Sequence, residues 1–356
     1  MKRNLQFPLL LVVALLLCGV SRVPAQDIMT GRPQLRGFLF GDVVYAARDN
    51  SSLTDGFFIG QLVGHGNATL SERVSFFGEL SATARPDGYA FEVERAILRY
   101  DFNDLLKLSV GRYHTAISYW NTAFHHGLWL QTSVSRPEII KVGGRFLPVH
   151  FVGAVAEGSL STSGFGIVYE AGVGNGRGTN LARGGDAGDN NLTRAYVLSA
   201  RVRPGHDLGL QVGGSAYLDR ISVTSGLFDE RIATGHIVWN RGAPELALEY
   251  ANVRHEGPAD ETFDSDGWYA HAGLRLPGNL SHWKPYVRAE RLDVAAGDPA
   301  FGAAIPDYRA YIAGIRYEFD ILAALKAEYR RERFAGGTEL NSLFLQVAFA
   351  LGHGGM

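Results

Sequence analysis

The chain of 356 residues has a single cysteine, Cys18, and it lies inside an N-terminal apolar run from Phe7 to Val20 that follows Lys2 and Arg3. With Val23-Pro24-Ala25 standing before Gln26, the run has the form of a cleaved secretory signal. Residues 1–25 are therefore expected to be removed and 26–356 to form the exported protein. Cys18 follows Leu15, Leu16 and Leu17 rather than the small residue that a lipidated signal needs. Without a thiol after position 25 there is no disulfide, no zinc–thiolate site and no cysteine nucleophile. Beyond the signal no run reaches eighteen apolar residues, which excludes a membrane-spanning helix. Positive charge is also lacking: without Lys2, Arg3 and Arg22, 31 basic residues face 36 acidic ones, a net −5 that gives nucleic-acid binding no support. Nothing resembles an interdomain linker, so a single domain is expected.

What the chain does hold is 44 glycines, 11% aromatic residues and a mean hydropathy near zero, as suits many short strands and tight turns. From position 34 onward, apolar and polar residues alternate in sixteen segments of about ten to thirteen residues, the length of a tilted strand crossing a bilayer. The first spans 34–46, the tenth 231–241, the twelfth 267–276 and the last 340–351. The connections alternate too. Long ones are expected at 47–56, 115–148, 174–192, 220–230, 255–266, 295–306 and 335–339, and short ones at Asn103-Asp104, Ser161-Thr162, Gly205-His206, Gly242-Ala243 and Asp320-Ile321. Arg85-Pro86-Asp87-Gly88 breaks the pattern, being short on the long side. Long loops on one rim and tight turns on the other predict an all-β fold, a transmembrane antiparallel β-barrel of about 16 strands.

The faces agree with that reading. Tyr311, Ala313, Ile315, Tyr317 and Phe319 alternate with Gly314, Arg316 and Glu318, and Leu325, Ala327 and Tyr329 with Lys326, Glu328 and Arg330. The apolar set can meet lipid and the charged set a wet lumen that cannot be a dry core. The same parity turns Arg95, Arg99, Lys107, Arg201, Arg203, Arg275, Lys284 and Arg288 inward, with Glu79, Glu245, Glu249 and Glu290. Tyr45, Tyr100, Trp239, Trp268 and Tyr308, near strand ends, suit the two interfacial girdles.

The connection at 115–148 stands apart, because it carries Trp120, Phe124, Trp129 and Phe146 together with His125, His126, Arg136, Lys141 and Arg145. A loop so long and so apolar is expected to fold back into the lumen and narrow it. Residues 91–139, FEVERAILRYDFNDLLKLSVGRYHTAISYWNTAFHHGLWLQTSVSRPEI, resemble the strand, turn, strand and constriction loop of bacterial outer-membrane porins of the phosphate-selective type. The resemblance implies a sixteen-stranded barrel, a homotrimer and a third long loop folded into the pore.

These readings together point to a passive channel for small anionic or neutral hydrophilic solutes, placed among outer-membrane lipid and lipopolysaccharide, with no cofactor. Arg136, Lys141 and Arg145 against Glu138 give the loop a local excess of +2, which favours anions. The plainer alternative is that Arg136 and Arg145 only bind loop carbonyls or inward glutamates. His125 and His126 adjoin, and on extended backbone they point opposite ways, so no shared metal and no catalytic role is expected of them. Ser118, Ser133 and Ser135 keep open a hydrolase resembling the outer-membrane phospholipase, and a closed structural barrel is the other alternative. Gly172, Gly174, Gly176 and Gly178 lack a following helix and read as an outer loop; Asp186, Asp189 and Asn190, and Asp260, Glu261, Asp264 and Asp266, are solvated acids or weak calcium sites.

Overall fold

The computed structural model describes residues 34–353 except 51, 52, 54, 142, 163, 178, 190, 192, 206, 207, 242 and 243. The signal at 1–25, the start at Gln26, Gly178, Asn190, His206 and the Gly242-Ala243 turn lie outside the described residues.

Alternation becomes strand because a strand turns successive side chains to opposite faces. The elements are β1 (Gln34–Arg48), β2 (Gly56–Thr69), β3 (Val74–Arg85), β4 (Gly88–Asn103), β5 (Leu106–His114), β6 (His150–Thr162), β7 (Phe165–Asn175) and β8 (Ala195–Pro204). They continue with β9 (Leu210–Val223), β10 (Gly226–Asn240), β11 (Glu245–Glu256), β12 (Thr262–Gly273), β13 (Trp283–Asp293), β14 (Tyr308–Asp320), β15 (Ala323–Phe334) and β16 (Glu339–His353). Each strand pairs antiparallel with its sequence neighbours, and β1 closes on β16 from Gly37 opposite His353 to Arg48 opposite Ser342. The closed ladder leaves no unpaired edge, as a barrel in hydrocarbon requires.

In β11 the inward residues are Glu245, Ala247, Glu249, Ala251, Val253 and His255, while Leu246, Leu248 and Tyr250 stand exposed outside. Leucine outside and glutamate inside inverts a soluble protein and matches a lipid-facing wall. Tyr308 is a correction: it lies inside, donating its hydroxyl to Glu332 Oε1 at 2.8 Å, because even positions of β14 face the lumen. It belongs to no girdle.

Two connections also differ from expectation. The loop expected at 220–230 does not form: β9 and β10 continue to a turn at Thr224-Ser225, where Gly226 at φ +137° accepts a conformation that side chains resist. Ile221 and Phe228, read as loop, are buried inside this hairpin, and Arg220 Nε reaches Asp229 Oδ1 at 2.6 Å across it. Likewise β12 begins at Thr262, ahead of the expected 267, since Phe263 and Ser265 continue the alternation. The tight turn at Arg85–Gly88 is as expected.

The lumen is not uniformly wet. Tyr217, Ile232, Ala251, Tyr269, Tyr286 and Ile312 on the inner face of β9–β14 form one buried apolar cluster with Ile117, Trp120, Ile139, Ile140, Phe146 and Leu147 of the β5–β6 loop. This side of the lumen is thus a packed core, which corrects the expectation of a wholly charged interior. Charged side chains stand among it, Glu249, Arg288, Glu290 and Arg316, each of them buried.

Candidate functional site

The β5–β6 connection, Thr115–Val149, crosses the lumen, and its backbone is tied to the wall at each stage. Ser215 and Thr234 hydroxyls donate to Ile117 O at 2.8 and 2.7 Å. A short helix, α1 (Tyr119–Phe124), follows. Its cap Ser118 accepts from Asn121 N and donates to Glu249 Oε2 at 3.2 Å, while Glu249 Oε1 accepts from Tyr119 N at 3.0 Å. Arg316 donates to the carbonyls of Trp129 and Gln131 at 2.5 and 2.9 Å, and Lys326 to those of Leu128 and Ser133 at 2.5 and 3.1 Å. Glu328 accepts from Val134 N at 2.9 Å and Glu290 from Glu138 N at 2.6 Å. These inward charges answer the open backbone groups that an irregular segment brings to membrane depth.

Arg288 and Arg316 therefore point inward as expected, yet they hold the loop rather than face water, being 2% and 5% exposed. Arg288 donates to Ser133 Oγ and Ser135 Oγ, both at 2.8 Å, and to Ser135 O at 2.9 Å. Other lumen bases meet acids of nearby strands: Arg95 with Glu79 and Arg201 with Glu170 at 3.1 Å on adjacent strands, and Arg99 with Glu157 at 3.3 Å across β5. Lys107 is half-buried, opposite Asp101 and Glu157 in register.

The loop's own bases do not converge. Arg136 is half-buried and donates to His125 O at 3.0 Å and Asn121 Oδ1 at 3.3 Å; burial lowers it to about 10, so it stays charged at neutral pH. That is the plainer of the two roles foreseen for it. Lys141 is exposed and pairs with Glu138 at 3.1 Å, and Arg145 is exposed beside it, both at a cavity of about 190 Å³. Burial raises the Glu138 carboxyl, against the pull of Lys141.

A second water-facing surface of the loop is the outer side of α1. Tyr119, Thr122 and Ala123 line a cavity of about 580 Å³ whose far wall is β4–β10. That wall brings Arg95, Arg201 and Arg203 against Glu157 and Glu170. Arg203 donates to Gln211 Oε1 at 3.1 Å and, among the described residues, makes no ion pair. Sequence reasoning did not bring Tyr119 and Thr122 together with Arg203. They meet only because the loop crosses the lumen, which no local signal reports.

His125 and His126 are brought together, against expectation. His125 ends α1 with helical backbone (φ −31°, ψ −67°), so the adjacent rings do not diverge as on a strand, and their centroids lie 4.2 Å apart. His114 and His150, the last and first residues of the flanking strands, stand opposite each other in register and join them, with ring centroids 3.5 Å (His114) and 5.1 Å (His150) from His125. Glu94 completes the group: a bulge in β4 turns both it and Arg95 inward, and its Oε2 lies 2.8 Å from His150 Nε2 and 3.2 Å from His126 Nε2. Burial holds His125 well below the usual histidine range. A histidine at each root of one loop was the sequence signal for this cluster.

Ser118, Ser133 and Ser135 are spent on Glu249, Arg288 and Glu328, and among the described residues none is hydrogen-bonded to a histidine.

No family model and no curated protein matches this chain. Solved structures do. An anion-selective porin from Comamonas acidovorans superposes with a TM-score of 0.65 at 11% identity, covering 90% of this chain and 100% of that one. OmpF of Salmonella typhi, in complex with daunomycin, gives 0.58 at 12% identity over 90% and 97%. OmpT of Vibrio cholerae, an outer-membrane protein in a trimer form, gives 0.57 at 13% over 90% and 99%. The chain thus shares the closed antiparallel fold of outer-membrane porins, its own barrel counting sixteen strands.

Proposed function

We propose that the protein is a passive diffusion channel of the bacterial outer membrane, exported by a signal at residues 1–25, that passes small hydrophilic solutes and prefers anions. The observation that carries this reading is the polar cavity of about 580 Å³ between the wet face of α1 and the charged wall, where Arg95, Arg201 and Arg203 outnumber Glu157 and Glu170. A fixed positive excess in a narrow, partly desolvated space attracts anions. The anion preference accordingly moves from the loop bases to the wall. Phosphate is one of the anions to test, given the resemblance of residues 91–139.

The exterior supports placement in lipid, with Leu248, Val287, Tyr311 and Tyr329 lining an outward apolar concavity of about 1260 Å³. Lipid or a second copy would cover it, and the trimer form of one structural neighbour favours a homotrimer. Acidic residues of the long loops, among them Asp260 and Glu261, would meet lipopolysaccharide through divalent ions. The protein is read as a non-enzyme, since the loop serines are engaged in holding the loop.

Reconstitution in planar bilayers tests the proposal. A steady ohmic conductance with chloride ahead of potassium is expected. No conductance would favour the closed barrel, and hydrolysis of the lipid would favour the enzyme. Cation preference would overturn the anion assignment alone.

A further inference from the structure

The histidine cluster at the root of the loop plays no part in that channel reading, and its geometry is unusual for a merely packed group. One donor atom from each of Glu94, His114, His125, His126 and His150 lies within 4.8 Å of all the others. Apart from their approaches to Glu94 and Glu79 carboxylates, the four Nε2 atoms have no hydrogen-bond partner among the described residues, though His125, His126 and His150 are 5%, 3% and 8% exposed. Buried polar atoms left open in this way call for an explanation.

The outer hydrogen bonds fix how the rings face. Asn121 donates its amide to the carbonyls of Thr115 and Val149, both at 3.0 Å, so its Oδ1 is the atom presented to His125 Nδ1 at 2.6 Å. Gln61 donates to Thr83 Oγ1 at 3.0 Å and presents Oε1 to His126 Nδ1 at 2.8 Å. Both rings then carry the proton on Nδ1 and aim the Nε2 lone pair at the centre. An amide or carboxylate oxygen on the far nitrogen is the support that metal-bound histidines have.

We propose that Glu94, His114, His125, His126 and His150 form a binding site for a divalent transition-metal cation of the zinc class, which staples the loop to the barrel wall. Imidazole and carboxylate donors suit zinc, nickel or copper, whereas calcium and magnesium ask for oxygen. Zinc–nitrogen bonds of about 2.0–2.1 Å place tetrahedral donors ~3.4 Å apart, so the present spread closes by shifts of about an ångström. Four donors fill that shell and the fifth makes a five-coordinate one. Arg112 comes within 3.7 Å of Glu94 Oε2, but its guanidinium is engaged by Asp186 at 2.7 Å, and Arg136 is turned onto His125 O. His114 borders the cavity beneath the loop, which gives the ion a path in.

The test uses the untagged, folded full chain, stripped with EDTA and titrated with zinc and with cobalt. One equivalent bound at micromolar free metal is expected, with the intense visible bands of four- or five-coordinate cobalt. The double variant His125→Gln with His126→Gln should lose affinity by about tenfold or more. Absent stoichiometric binding by the wild type, or a variant that binds equally well, overturns the site. If the variant does not fold, the wild-type cobalt spectrum decides, because weak octahedral bands would mean oxygen ligands of the outer loops. Conductance is read separately, so a failed titration leaves the channel standing.

Discussion

Replacing Arg288 with methionine separates the loop from the barrel that carries it. The guanidinium, 2% exposed, donates to Ser133 Oγ, Ser135 Oγ, Ser135 O and Arg136 O at 2.8, 2.8, 2.9 and 3.3 Å, pairs with Glu290 at 2.7 Å, and lies 5.6 Å from the Trp120 ring. Removing one partner of such a buried network costs about 3–5 kcal/mol, because Glu290 loses its ion pair and is left with the Glu138 N–H, and Arg136 O loses its donor. None of that loss falls on the strand ladder, whose backbone bonds do not involve the side chain. It falls on docking of the loop, and the undocked population rises about 100-fold or more at about 1.4 kcal/mol per factor of ten. Arg288→Met should therefore form a closed barrel that migrates faster unheated than boiled, yet show single-channel records broken by steps to higher conductance. A quiet record at the wild-type level, from a barrel that is folded, would refute the view that Arg288 secures the loop.

Other outcomes follow from the same geometry. Deleting Asn121–Thr132 should leave a folded barrel with larger conductance, and an unaltered conductance would put the loop outside the pore. Arg201→Gln with Arg203→Gln should move the reversal potential toward cations by more than Lys141→Gln with Arg145→Gln does; the opposite order would return selectivity to the loop bases. Gly314→Val should lower the temperature at which the unheated form is lost, because a Cβ there would overlap Tyr286 Cζ and displace the ring that donates to Glu328. An unchanged transition would show that the ring has room to move.

The barrel was legible because its signal is repeated. Each strand announces itself only by a period of two, which is weak, but sixteen such segments with long and short gaps in alternation leave few other folds. Errors fell where one residue pattern serves two structures. Residues 220–230 hold Thr224, Ser225 and Gly226, a turn signature, and Arg220 and Asp229 read as loop charge until the hairpin sets them face to face. Tyr308 shows the limit of ring chemistry: a tyrosine near a strand end fits a girdle or a lumen equally well, and only the parity of Ala310 and Ile312 tells which.

The site was less legible, for a reason that lies in its construction. The loop was picked out by its length and aromatic content, but which of its charges face water depends on a wall far away in sequence. Arg136 is the case in point: from sequence it is a base in a constriction, whereas in the fold it is a strut between His125 O and Asn121 Oδ1. The apolar inner face of β9–β14 pulls Trp120, Ile139 and Ile140 to one side, so the free space opens on the other, against Arg95, Arg201 and Arg203. The bases that border this space thus stand on strands whose charges had looked balanced. The same displacement carries His125 and His126 onto the roots of their own loop, where His114 and His150 wait in register, so that one act of packing creates both the pore's wet wall and the imidazole cluster beside it.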